Sequence, residues 1–213
     1  MANNNLNNQT DALLNNTEDA YKYIAKVIAP ALIKRGVINN TQAFTNSLDF
    51  IFKEESNTAH KNKDGTVKKS PVYTKNGINI QDVGIGQLNL DFEKGETGFG
   101  STLRALGIDE IGKVNRNNEY ENIIAAAKFH AAHLYEFGGD FEKAHAAYNW
   151  GYGNVMDAID EEGANWKIVE KPKITKNRID KWANKVLENP SLYIDTSNMP
   201  ILIPKPKPDY IKE

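Results

Sequence analysis

The chain has 213 residues, 40% hydrophobic and 25% charged, enough for one substantial core with small additions. Its 26 basic and 28 acidic residues leave a formal charge of -2, which excludes a global field drawing it to nucleic acid or an anionic membrane; a cationic patch has to be local. With no cysteine, disulfides, thiol catalysis and thiolate metal sites are excluded, while compartment is left open.

Residues 1–16 are polar and asparagine-rich and read as a flexible leader. They lack the basic start and apolar run of a secretory signal, and no later stretch reaches the roughly 18 apolar residues of a membrane span. A first helix is expected from Asn16 or Thr17, with Ile24, Val27, Ile28, Ala31 and Leu32 at helical spacing, a kink at Pro30 and Gly36 as C-terminal cap. A second runs from Thr41 to about Glu55, with Phe44, Leu48 and Ile51 on one stripe. From Thr58 to Gln81, Gly65, Pro71 and Gly77 punctuate short runs such as Thr66 to Lys68 and Val72 to Thr74, which predicts loops and a small β-hairpin.

Further helices are expected over Ser101 to Leu106, closed by Gly107, and over Asn118 to Phe137, closed by Gly138, with Ile123, Ala127, Ala131 and Leu134 inward. Asp140 caps another that ends near Tyr148; Asn154 to Glu162 and Thr175 to Leu187 follow, the last carrying Ile179, Trp182 and Val186. The fold class is therefore mainly α with a minor β element, as one domain over residues 17–195, followed by an extended tail at 196–213 rich in proline and lysine.

Three segments carry chemistry. At roughly 100° per residue, Glu55 falls within about 40° of both Leu48 and Ile51, whereas Glu54 is turned roughly 120° from Leu48. Glu55 is thus expected on the core side and Glu54 outside. Burial raises a carboxyl pKa, as a general acid working near neutral pH requires; the competing reading is a helix-end acid that merely reaches water. In Asp82-Val83-Gly84-Ile85-Gly86-Gln87, the glycines allow close backbone approach and Gln87 offers amide donor and acceptor, against the reading of an ordinary connection. In Ala147-Tyr148-Asn149-Trp150-Gly151-Tyr152-Gly153, aromatic faces suit sugar rings and the asparagine suits hydroxyls, against an aromatic-rich core junction.

In this order, Glu55-Ser56, Gly84-Ile85-Gly86-Gln87 and Ala147-Tyr148-Asn149-Trp150-Gly151 resemble the motifs of the soluble lytic transglycosylase and goose-type lysozyme superfamily, and Asn122 to Leu134 looks like the helix preceding its tyrosine motif. The resemblance spans about Thr41 to Val155. It implies a lysozyme-like helical bundle around a saccharide cleft, with Glu55 as catalytic acid/base and Tyr148 hydrogen-bonded to it or beside it. It further implies that Gln87 and Asn149 hold saccharide groups, that Ser56 supports the site, and that Gly84, Ile85 and Tyr152 belong to the substrate site. Two departures bear on the cleft: the segment between Glu55 and Gly84 is longer than usual in the family, and Asp82 stands where a serine is common.

The implied reaction is cleavage of the β-1,4 bond between MurNAc and GlcNAc in peptidoglycan, leaving 1,6-anhydro-MurNAc ends. Glycosidases generally use two carboxylates, so an inverting hydrolase is the alternative, with Asp64, Asp82 or Asp91 positioning water. A catalytically idle wall-binding module is a third reading, disfavoured by the presence of both Glu55 and Tyr148. The expected partners are glycan strands, without nucleic acid, membrane insertion or cofactor. The lack of a signal sequence suits a phage-encoded lysin or virion component. His130 and His133, three apart on one helix, raise a zinc amidase, but with no HExxH the four histidines, including His60 and His145, are expected solvated or at the core edge, with no metal site.

Overall fold

A computed structural model describes residues 16–75 and 77–188. The expected tail, nearly all of the leader and the boundary at 195 lie outside them. Eight α-helices and one 3-10 helix occur among the described residues: α1 (Thr17–Lys34), α2 (Thr41–Ser56), α3 (Leu90–Lys94), α4 (Gly100–Leu106), α5 (Glu119–Glu136), α6 (Phe141–Trp150), α7 (Tyr152–Glu162), the 3-10 helix Gly163–Ile168 and α8 (Lys173–Glu188). Strands β1 (Tyr73–Lys75) and β2 (Ile78–Ile80) form an antiparallel hairpin with Tyr73 opposite Ile80. The fold is mainly α and lysozyme-like.

Side-chain caps set the starts of the long helices. Asn16 accepts from Asp19 N–H, Asn40 from Ala43 N–H, Asn118 from Tyr120 and Glu121 N–H, and Asp140 from Lys143 N–H, each pairing amides that the first turn leaves without a partner. Helix α5 is the central element, packed against α1, α4 and α6. Its buried Ala125, Ala126, Ala127, Ala131 and Ala132 let neighbouring helices close on it, while Ile123 and Leu134 fill the core with Leu32, Phe44, Leu48 and Phe52.

Several expectations change. Val27 of α1 is 45% exposed because the buried stripe runs through Tyr21, Ile24, Ala25, Ile28, Ala29 and Leu32. Thr66–Lys68 forms no strand; Val67 makes one isolated bridge to Lys61, and the hairpin uses Tyr73–Lys75 and Ile78–Ile80 around Gly77. Helix α3 and the 3-10 segment lie where the sequence predicts no helix, being too short to display a helical period.

Candidate active site

Helix α2 ends in a left-handed Asn57, whose N–H closes on Lys53 and Phe52 carbonyls, so Glu55 lies in the last turn. Its side chain is 10% exposed and forms an ion pair with Arg178 of α8, whose own side chain is 7% exposed. Arg178 Nη1 donates to Glu55 Oε1, and Nη2 donates to the Glu54 carbonyl at 3.3 Å. Burial pushes the Glu55 carboxyl above its usual range; Arg178 opposes the rise, and the negative charges of Asp82 and Glu54 add to it. Glu54 does not line the cleft, but neither does it stand out in water: its side chain is 18% exposed and Lys181 Nζ donates to both its carboxylate oxygens, at 2.9 and 2.7 Å.

The second motif forms the wall facing Glu55. At Gly84, with φ +79°, a Cβ would lie 2.4 Å from Asn122 Nδ2, and at Gly86 one would lie 2.7 Å from Ala126 Cβ, so both glycines are demanded by close approach to α5. Fully buried Asn122 holds the turn: its Oδ1 accepts from Gly86 N–H at 2.8 Å and its Nδ2 donates to the carbonyls of Val83 and Arg116 at 2.9 and 3.0 Å. His60 adds a second tie, accepting from Ile85 N–H at Nδ1 and donating from Nε2 to the Asn117 carbonyl. Gln87, at φ +48°, donates from Nε2 to the Gly84 carbonyl at 2.6 Å.

The third motif closes the cleft. Tyr148 donates to the Gly86 carbonyl at 2.9 Å, which differs from a direct bond to Glu55, although the Glu55 charge helps burial hold its hydroxyl protonated. Asn149 Oδ1 accepts from Thr175 Oγ1 at 2.8 Å. One cleft brings together Glu55, Tyr73, Asp82, Gly86, Gln87, Phe129, Tyr148, Asn149, Trp150 and Gly151 in its lining. Four expected substrate-site residues, Ser56, Gly84, Ile85 and Tyr152, do not line it. Ser56 is buried and donates back to the Phe52 carbonyl at 3.0 Å, Ile85 is fully buried in the core, and Tyr152 packs against Phe99, His133 and Phe137. Gly84 lies behind the lining residues, against Asn122.

The four histidines are core residues, neither solvated nor at the core edge: all are at most 2% exposed. Ser47 Oγ lies 2.6 Å from Nε2 of both His130 and His145, a position that draws two imidazoles inward because one hydroxyl both donates and accepts. No cluster of histidines and acids able to hold a metal occurs among the described residues. Of the acids considered for positioning water, Asp82 lines the cleft and accepts from Tyr73 at 3.0 Å. Asp64 is exposed and bound to Thr66, and Asp91 is exposed at the start of α3.

The ordered site coincides with a known family. A family model described as Transglycosylase SLT domain matches residues 45–169. The chain belongs to this family. The SLT domain carries peptidoglycan lytic transglycosylase activity at family level, so peptidoglycan is the substrate class. No solved structure matches the chain at a significant level. All three motifs lie within the SLT match, whereas Thr175, Arg178 and Lys181 lie beyond its end. Sequence reasoning missed Arg178 and Thr175; the available signal was two polar residues interrupting the apolar stripe of Ile179, Trp182 and Val186 on α8. No helix of the described residues is long and apolar enough to cross a membrane.

Proposed function

We propose that this SLT domain cleaves the β-1,4 bond between MurNAc and GlcNAc, with Glu55 as the single acid/base and 1,6-anhydro-MurNAc ends as product. The observation that carries it is a buried carboxyl with a raised pKa in a cleft that also presents Tyr148, Gln87 and Asn149. Arg178 occupies Oε1, so the proton to be transferred resides on Oε2. Glu55 gives it to the glycosidic oxygen as the C1–O bond breaks, and the 2-acetamido oxygen of MurNAc stabilises C1. The C6 hydroxyl then attacks C1 and returns its proton to the Glu55 carboxylate, so no water enters the product. Holding that hydroxyl at C1 exploits the effective concentration of an intramolecular nucleophile.

Asp82 supports a second reading. It shares the cleft with Glu55 and could direct a water at C1, giving an inverting hydrolase. Digestion of purified sacculi in oxygen-18 water separates the two: unlabelled muropeptides lighter by one water support the lyase, and label at new reducing ends rejects it in favour of Asp82-assisted hydrolysis. Glu55→Gln keeps shape but removes the transferable proton, and lysis should fall by on the order of a hundredfold or more. Full lysis by that variant would remove Glu55 from its role.

A further inference from the structure

We propose that α8 is part of the catalytic apparatus, with Arg178 and Thr175 as positioning residues that hold Glu55 and Asn149 for the reaction. This rests on Glu55 being the proton donor. Helix α8 begins at Lys173, after the family match ends at 169. Nevertheless it supplies buried polar partners to residues of two different motifs. Thr175 and Arg178 are three apart, which puts them on one helical face, and they are 0% and 6% exposed.

The helix is anchored independently of these contacts. Trp182 is fully buried against Phe50, Phe141 and His145, and Ile179 packs with Ala146, Ala147, Val155, Ala158 and Trp166. Lys181 to Glu54 and Lys185 to Asp49, at 3.4 Å, continue the contact along α2, but Lys181 is largely exposed and its pair adds little. A seated α8 therefore delivers the Arg178 fork to a fixed place. There it fixes the rotamer of Glu55 and favours the carboxylate that exists after proton donation, making the buried acid a better donor than burial alone would leave it. Thr175 donates to Asn149 Oδ1 and so fixes the orientation of its amide, with Nδ2 left as the donor to a saccharide.

The test compares Arg178→Gln, Arg178→Lys and Thr175→Val in the full chain, with Glu55→Gln as control, on soluble peptidoglycan fragments across pH. Arg178→Gln should move the alkaline limb of kcat/KM up by about one pH unit or more and lower kcat at neutral pH about tenfold, because a neighbouring arginine depresses a carboxyl by roughly 1–3 units. KM should change little. Arg178→Lys should shift the limb less, retaining the charge without the fork. Thr175→Val should raise KM several-fold and leave the pH profile in place. If Arg178→Gln does not fold, the other two variants decide. Parental kcat and pH profile in Arg178→Lys together with parental KM in Thr175→Val would overturn the proposal, as would an unmoved profile in folded Arg178→Gln. An inactive Glu55→Gln beside such unmoved profiles sinks the role of α8 alone; an active Glu55→Gln sinks the acid assignment itself.

Discussion

Tyr148 gives its hydroxyl hydrogen to the main-chain carbonyl of Gly86, 2.9 Å away, and so ties helix α6 to the wall opposite Glu55. The tyrosine motif and the glycine motif are thereby one mechanical unit. Tyr148→Phe leaves that carbonyl without its partner, which costs about 1 kcal/mol of stability. For a domain of this size the melting temperature should fall by about 2–4 °C. Turnover should fall more steeply than that, because Gly86 and Gln87 both line the cleft. Calorimetry beside lysis rates checks this; activity loss no larger than the loss of folded protein would make the tyrosine a packing residue only.

Gly86 itself is constrained by packing. A methyl at this position would sit 2.7 Å from Ala126 Cβ and 3.1 Å from the Tyr148 hydroxyl. Gly86→Ala should therefore destabilise by about 1–3 kcal/mol and distort the cleft. Gly107→Ala is the comparison: that glycine, unlike Gly86, has a positive φ, but open space surrounds it and it lies away from the cleft. It should lose stability from backbone strain while keeping the kcat of the folded fraction.

Glu54 and Glu55 provide a test of helical facing. Glu54→Gln removes an ion pair to a lysine whose side chain is 58% exposed, and such pairs contribute about 1 kcal/mol or less. Lysis should stay within about twofold of the parent, against the hundredfold loss expected on removing a general acid at Glu55. Equal losses in the two variants would show that the carboxylates act together.

The buried histidines predict acid lability. Burial holds His130 and His145 well below the usual imidazole range and His133 at about 3, so all three are neutral when folded. Unfolded, they protonate near pH 6.5, and protons then favour the unfolded chain. Stability is complete above about pH 6.5 and falls below it, by on the order of 1 kcal/mol per pH unit for each histidine, until the folded values are reached. Urea midpoints measured from pH 8 to pH 5 should decline mainly below 6.5, and a flat profile would contradict neutral burial. Ser47→Ala should add about 2–4 kcal/mol of destabilisation, since two buried ring nitrogens lose their common partner.

Local chemistry made much of this protein legible in one dimension. Asp140 before an apolar stripe, Gly107 after one, and the phase of Glu55 relative to Leu48 and Ile51 are short-range signals, and the helices and the facing of the glutamate follow from them. The three motifs, within one segment of the chain, were enough to indicate the family. What only the tertiary structure decided are the partners between distant elements. Arg178 meets Glu55 across 123 positions, Thr175 meets Asn149 across 26, and Ser47 draws His130 and His145 from separate helices into the core. Periodicity reports which face of a helix is apolar but not which polar group on another helix lies opposite. A buried arginine or histidine therefore looks like a surface residue until packing removes its water and supplies a partner.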